Sequence, residues 1–169
     1  MKDLDPGATP DELLYPITND RHTAGIAHER QLIDRLQHEG WLVAAWGLGV
    51  LPRPMRALIT NQTTPLRNWP DLIAARGNAT RIIEAKSRRA TTNTPNHAIQ
   101  NDSLEHLQAL ETIGLPVVIV WHDFTVNKPS NLRPFHRDDN PTNTAGSGTP
   151  YSLVRRADQR PWTWAFPAP

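Results

Sequence analysis

Two apolar, strand-like runs on either side of a tight turn constrain the fold of this chain more than any other feature. The runs occupy residues 71–75 and 80–86, and the dipeptide Gly77-Asn78 lies between them. Glycine followed by asparagine is a frequent turn of two-residue β-hairpins. If this dipeptide is the turn, the runs pair antiparallel in the register that sets Asp71 opposite Glu84. The sequence therefore predicts a hairpin with two carboxylates near its open end.

These two carboxylates share a face with a lysine. Opposed residues of an antiparallel pair have Cβ atoms about 5 Å apart, and Lys86, two residues beyond Glu84, points to the same side of the strand. Carboxylates placed like Asp71 and Glu84 repel each other, and the pKa of one is expected to rise. A divalent cation would offset the repulsion. Mg²⁺ fits best, because it takes oxygen ligands and retains several waters; Mn²⁺ is expected to substitute.

The residues around Asp71 and Glu84 help to decide between a metal site and an ordinary surface ion pair. The carbonyl oxygen of Ala85 is a candidate third ligand, and Lys86 could hold a scissile phosphate, orient the attacking water or stabilise developing charge. An ordinary hairpin whose acids and lysine form exposed cross-strand ion pairs would show the same residues. The apolar character of the hairpin, and a third acid, Glu29, on the apolar face of a predicted helix, favour the metal site, since a buried acid needs a partner.

The remaining apolar periodicities predict the other elements. They are a helix over 23–39, a mostly buried strand over 41–46, an irregular stretch over 47–68 with a short strand at 55–60, a second helix over 97–113, a central strand over 115–121, and edge strands over 151–155 and 162–166. The order helix, strand, strand, strand, helix, strand predicts an α/β fold with a mixed central sheet flanked by helices.

Composition narrows the class of protein. None of the 169 residues is cysteine, which excludes disulfides and thiolate metal sites and suits a cytoplasmic protein. No apolar run approaches the roughly 20 residues that span a bilayer, and the polar start of the chain lacks the core of a signal peptide. The net charge of +1 leaves phosphate binding to local basic clusters. We expect an irregular lead-in over 1–21, a core domain over 22–125 and a Pro/Asn-rich extension over 126–169.

A family resemblance rests on the residues around the hairpin. They read Asn68-Trp69-Pro70-Asp71 and then Ile82-Ile83-Glu84-Ala85-Lys86-Ser87, and they resemble the signature of the PD-(D/E)xK nuclease superfamily. The predicted helix around Glu29 and the Gly40-Trp41-Leu42-Val43 after it are similar to the opening of archaeal Holliday-junction resolvases, and the resemblance covers about residues 24–121.

The resemblance implies a restriction-endonuclease-like core and an endonuclease that hydrolyses DNA phosphodiester bonds, with branched or junction DNA as one candidate substrate. It implies catalytic roles for Asp71, Glu84, Lys86 and Glu29. The expected metal ligands are the three acids and the Ala85 carbonyl. The stretch 47–68 is longer than in simple resolvases, so a different substrate geometry is expected. A restriction-type or mobile-element nuclease stays open as the alternative to a junction enzyme.

Basic and polar residues near the predicted site are candidates for contact with DNA. They are Arg53, Arg56, Ser87, Arg88, Arg89 and Gln100, with His97 as a further candidate. Enzymes of this kind often dimerise in order to cut two strands, so a homodimer is also expected. DNA is the expected partner, although the residues do not discriminate DNA from RNA.

Two other functions are open on the sequence alone. A nuclease-like fold could serve as a catalytically silent nucleic-acid-binding or assembly module, although all four expected active-site positions are filled. The chain could also bind a protein partner and carry its hairpin acids incidentally. A histidine metal site is disfavoured, because the seven histidines form no HxxxH or HxH pair, and His28 is expected to face solvent. The tryptophans at 41, 46 and 121 are expected in the core, and those at 162 and 164 on one face of the last strand.

Overall fold

A five-stranded mixed sheet forms the centre of the fold in the computed structural model, which describes residues 20–60, 68–87, 96–135 and 150–168. In chain order the strands are β1 (Leu42–Ala45), β2 (Leu72–Arg76), β3 (Ala79–Lys86), β4 (His97–Gln100), β5 (Val117–Trp121), β6 (Val126–Asn127) and β7 (Tyr151–Val154). The sheet has the order β1-β2-β3-β5-β6, and β4 pairs with β7 in a separate two-stranded sheet. β3 and β5 run parallel, and the other neighbours run antiparallel.

Helices cover both faces of this sheet. They are α1 (Asp20–His38), α2 (Arg53–Thr60), α3 (Asn101–Thr112) and α4 (Trp162–Ala165), with short 3₁₀ turns at Gly47–Val50, Pro129–Asn131 and Arg156–Asp158. α1 packs Leu32 and Leu36 on the face that carries Ile83, whereas α3 packs Leu107 on the face that carries Ile82. The alternation along β3 therefore divides the interior into two cores. The predicted α/β fold with a mixed sheet flanked by helices is confirmed.

The predicted hairpin is present, with its predicted register. β2 and β3 pair from Leu72 opposite Ile83 to Arg76 opposite Ala79. Gly77 opens the two-residue turn with a φ of +55°, a conformation that is favourable for glycine and strained for residues with a Cβ. Because successive residues of β3 point to opposite faces, Glu84 and Lys86 point to the same face as Ile82, toward α3.

Parallel pairing requires a long connection between β3 and β5, and β4 with α3 lies within it. All five residues of β5 are buried, as expected for a strand with helices on both faces. The predicted central strand is confirmed.

β1 is more exposed than predicted. It lies at the edge of the sheet, and Leu42 is 80% exposed while Val43 is half-buried. An edge strand has a neighbour on one side only, so an apolar run does not by itself ensure burial. Trp41, which precedes the strand, is buried in the core as predicted, and Trp46, which follows it, is half-buried.

Three predicted elements differ in type or extent. Residues 55–60, predicted as a strand, belong to α2, where Pro54 lies in the first turn and therefore costs no helical hydrogen bond. The second predicted helix begins at residue 101 because His97–Gln100 pair with β7 instead. Residues 162–165 form a helical turn, so Trp162 is buried whereas Trp164 is 40% exposed.

The C-terminal residues pack on the same sheet as α1. β6 adds the fifth strand, and Trp162 lies in the core cluster that contains Leu32. Its indole Nε1 donates to both carboxylate oxygens of Glu39, at 2.9 and 2.8 Å, and the Arg35 guanidinium lies 4.2 Å above its ring centroid. Within the described ranges, no helix combines the length and apolarity needed to cross a membrane. Residues 1–19 of the predicted lead-in lie outside the described residues.

Candidate active site

The acidic residues singled out in the sequence come together at one end of the β2–β3 hairpin. Asp71 directly precedes β2, and Glu84 and Lys86 lie at the end of β3, so antiparallel pairing makes these positions neighbours. Glu29 belongs to α1, and its charge acts on the carboxyl of Asp71. Three acids and one lysine from separate parts of the chain therefore share one electrostatic environment.

The backbone holds Asp71 in place from three directions. Its N–H donates to the carbonyl oxygen of Ile83 at 2.9 Å, and its carbonyl oxygen accepts from the N–H of Trp46 at 2.7 Å. Its carboxylate oxygen Oδ2 accepts from the N–H of Ala85 at 2.7 Å. The regular pairing of β2 with β3 stops at Leu72, and beyond it the side chain of Asp71 adds a cross-strand contact to those of its backbone. This arrangement fixes the orientation of the carboxylate.

Glu84 and Lys86 form an ion pair that is largely buried, with 10% and 22% of their side chains exposed. The ammonium Nζ of Lys86 lies 2.5 Å from Oε1 of Glu84 and 3.5 Å from the hydroxyl Oγ of Ser103 on α3. Glu84 is only 7% exposed and Ser103 only 4%. The alternative of an ordinary surface ion pair is therefore disfavoured, because surface pairs of this kind are screened by water.

Burial and neighbouring carboxylate charges raise the pKa of two acids at this site. Burial is the main cause of the raised pKa of Asp71, and the charges of Glu84 and Glu29 raise this pKa further, against the N–H of Ala85 and the charge of Lys86. Burial also raises the pKa of Glu29, with the charge of Glu84 as the second cause. Three carboxyl groups therefore share the site with one ammonium group, and the ionised forms of Asp71 and Glu29 are disfavoured.

Burial and the neighbouring acids act on the pKa of Lys86 in opposite directions. Burial by itself would lower its pKa, but the charge and hydrogen bond of Glu84, with the charges of Asp71 and Asp102, outweigh burial and raise the pKa above its usual value. Lys86 is therefore a cation at neutral pH, and its chemistry at this site is that of a fixed positive charge and hydrogen-bond donor.

The donor chemistry of the site suits a hard divalent cation. Asp71 and Glu84 provide carboxylate oxygens, and Mg²⁺ sites commonly use one or two carboxylates together with waters. Ala85 directs its N–H toward Asp71, and its carbonyl faces the same neighbouring strand because the two groups of one residue point to the same edge. Among the described residues, no three His, Asp or Glu side chains are grouped so that they could hold one ion together. Glu29 would thus act through the water shell of the ion or on a second ion.

The other residues predicted to contact DNA lie at differing positions. Ser87 is half-buried directly after Lys86, and Gln100 is exposed directly before α3. Arg53 and Arg56 belong to α2. Arg88 and Arg89 lie outside the described residues.

Two histidines lie elsewhere than predicted. His97 is fully buried and stacks on Trp121, with ring centroids 4.5 Å apart, so it does not lie on an exposed helix surface. His28 is 5% exposed rather than solvent-facing, and its ring meets the edge of Phe124 at 5.7 Å. Burial lowers the pKa of His28.

Ser103 and Asp102, in the first turn of α3, were missed by the sequence reasoning. Placing the helix start at residue 97 left both in its interior, without a role. Asn101, Asp102 and Ser103 are residue types that favour helix starts, and they stand together in the sequence as a signal for one. This signal would have moved the start to residue 101 and placed Ser103 one turn before Leu107, on the buried face.

Comparisons with known proteins add one similar structure. No protein-family model and no curated protein matches the chain. Among solved structures, the chain is similar to Hjc, a Holliday junction resolvase from the archaeal hyperthermophile Archaeoglobus fulgidus. The identity is 17%, the match covers 79% of this chain and 90% of that chain, and the TM-score is 0.49. At this level of similarity, the chemistry of the site has to be inferred from the residues of this chain.

Proposed function

We propose that the protein is a metal-dependent endonuclease of the PD-(D/E)xK type that hydrolyses DNA phosphodiester bonds. The observation that carries the proposal is the placement of Glu84, Glu29 and Lys86 around Asp71, whose carboxylate accepts from a backbone N–H at 2.7 Å. Three acids that are buried or half-buried beside a single lysine are costly for stability alone. This is the arrangement that a phosphoryl-transfer site with a divalent cation requires.

Asp71 and Glu84 are the proposed ligands of Mg²⁺, with the carbonyl of Ala85 as a third ligand and Glu29 acting through coordinated water. When bound, the ion would supply Lewis acidity toward the phosphoryl oxygen and lower the pKa of a bound water. The N–H of Ala85 keeps Asp71 oriented, so the ligand does not need to reorganise when the ion binds.

Lys86 is proposed to bind the scissile phosphate and to stabilise the negative charge that develops on it. Its raised pKa keeps the ammonium protonated, and the buried Glu84 and Ser103 hold its position. A preorganised positive charge at the reacting group is worth about 100- to 1,000-fold in rate. A protonated lysine does not accept a proton from water, so charge stabilisation is the role its environment favours.

DNA is the proposed partner. Arg53, Arg56, Ser87, Arg88, Arg89 and Gln100 are the proposed contacts with its backbone. Branched or junction DNA is a candidate substrate, and a homodimer is a candidate assembly, because two copies would place two sites on the two strands of one substrate.

The test is cleavage of labelled linear, nicked and four-way-junction DNA in Mg²⁺, Mn²⁺ or EDTA. We expect metal-dependent cutting by the wild-type chain and none by Asp71→Asn. Asp34→Asn makes the same chemical change at an exposed position of α1 and is expected to cut normally. If a folded protein that Mg²⁺ stabilises cuts none of the three substrates, the chain is a catalytically silent binding module instead.

A further inference from the structure

An aromatic, apolar groove opens beside the residues that lead into Asp71. Its walls include Trp46 and Trp69. Val50 and Leu51 contribute from the end of the 3₁₀ turn at Gly47–Val50, and Met55 and Ile59 contribute from α2. The two indole rings lie 5.8 Å apart, tilted by 53°. The groove has a volume of about 340 Å³, which is near the lower limit of ordinary ligand pockets.

Close packing and a backbone hydrogen bond connect this groove to the candidate active site. Trp69 precedes Asp71 by two residues, and the N–H of Trp46 donates to the carbonyl oxygen of Asp71 at 2.7 Å. Gly47 has a φ of +61°, and a Cβ there would lie 2.7 Å from the carbonyl oxygen of Pro70 and 3.0 Å from Cβ of Trp69. Only glycine allows so close an approach. The wall and the entry to β2 are therefore packed as one unit.

The groove also exposes more apolar surface than folding requires. Val50 is 58% exposed and Met55 is 51% exposed. α2 carries Arg53 and Arg56 and no acidic residue, so the helix that forms one wall is positively charged. Aromatic side chains next to a basic helix form the combination that proteins use to bind unpaired nucleotides, whose bases stack while their phosphates meet the positive charge.

We propose that this groove receives an unpaired nucleobase of the DNA next to the scissile phosphate. This inference rests on the proposed nuclease function and names the substrate class. Bases in a duplex are stacked on each other, and only their edges are accessible in the grooves, so an indole face can stack only on a base that has left the stack. The preferred substrate is therefore DNA with a single-stranded segment at the cut, such as a flap, an overhang or an opened branch point.

The experiment compares two DNA ligands of identical sequence at the junction. One carries 2-aminopurine as the first unpaired nucleotide of a short single-stranded flap, and the other carries it fully paired. Binding is measured by 2-aminopurine fluorescence in EDTA, where no cutting occurs. We expect at least about fivefold tighter binding of the flap, because one base–aromatic stack contributes about five- to 150-fold in affinity.

Variants assign the effect to the groove. Trp69→Leu keeps an apolar side chain but removes the stacking surface, and we expect the preference to disappear, whereas Trp69→Phe should keep most of it. Met55→Ala tests the groove at an exposed position where folding is not at stake, and should weaken the preference. Leu58→Ala, at a 62% exposed position of α2 outside the groove, is the matched control and should leave it unchanged.

Parallel cleavage assays in Mg²⁺ separate this inference from the proposed function. If both ligands are cut at equal rates, or if a preference for the flap survives Trp69→Leu, the groove does not bind the base. If the flap binds in a Trp69-dependent manner but neither ligand is cut, the groove inference holds and the nuclease proposal fails. If sedimentation shows a dimer that Trp69→Leu dissociates while DNA affinity stays unchanged, the groove binds a second copy of this chain and the inference is wrong.

Discussion

Replacing Asp71 with asparagine should stabilise the protein when no metal is present. Burial is the main cause of the raised pKa of Asp71, and the charges of Glu84 and Glu29 raise this pKa further. Two unit charges about 5 Å apart repel by about 3 kcal/mol at an effective dielectric constant near 20. The charge of Lys86 and the N–H of Ala85 offset part of this repulsion. Asparagine retains an oxygen that accepts from Ala85, so we expect a net gain of about 1–2 kcal/mol.

The pH dependence follows from the direction of the shift. Because the pKa of Asp71 is raised in the folded state, its ionised form costs stability, and that cost grows as pH rises through the folded-state pKa. Below the unfolded-state value of about 3.9, the group is neutral in both states and the advantage of asparagine vanishes. The wild-type chain should therefore lose stability relative to Asp71→Asn between acidic and neutral pH.

Thermal and urea unfolding in EDTA at pH 7.5 measure this difference. The expected gain corresponds to a rise in Tm of about 2–8 °C for a chain of this size. Saturating Mg²⁺ should reverse the order, because a ligand at a hundredfold excess over Kd adds about 2.7 kcal/mol to the wild type and little to the variant. Asp34→Asn should change neither value. A variant that is less stable than the wild type in EDTA at neutral pH would refute the repulsive cluster.

Three further changes test the site and its support. Lys86→Met should lower cutting by about 100- to 1,000-fold while Mg²⁺ still raises the Tm, and loss of the Mg²⁺ effect as well would indicate that Lys86 organises the ligands instead. Leu107→Ala, at a fully buried position of α3, should lower the free energy of unfolding by about 2–5 kcal/mol in urea titrations; a loss below about 1 kcal/mol would contradict that packing. Gly47→Ala should cost about 1–3 kcal/mol, because its Cβ would meet the carbonyl of Pro70. Gly77→Ala has a similar φ and no atom within 4 Å, so it should cost less in the same titrations, and equal costs would show that the close approach does not matter.

Local patterns were sufficient for the hairpin, α1 and the central strand. The Gly77-Asn78 turn sets the register of β2 against β3, and a register that places one face in the core is strongly specified. The same logic brought Asp71 and Glu84 to one end of the hairpin, because a period of two residues needs no information from the rest of the chain. The continuous apolar run 117–121 likewise allowed only a buried strand.

Contacts between segments far apart in the chain decided three features that local patterns did not predict. These are the exposure of β1, the start of α3 and the helical turn at Trp162. His97–Gln100 form a strand because they pair with β7, which lies more than 50 residues later in the chain. The local sequence around residue 97 does not show that this strand pairing competes with the helix. Leu42 is exposed because, among the described residues, no element covers its side chain at this edge of the sheet.

The electrostatics of the site also required the tertiary structure. A strand pattern places Glu84 and Lys86 on one face, but only the packing of α3 buries their ion pair and sets Ser103 beside it. Only the position of α1 brings the charge of Glu29 to bear on Asp71. Residue types and spacing along one strand are local properties, whereas burial and charge–charge interaction depend on distances between segments, and these distances exist only once the chain has folded.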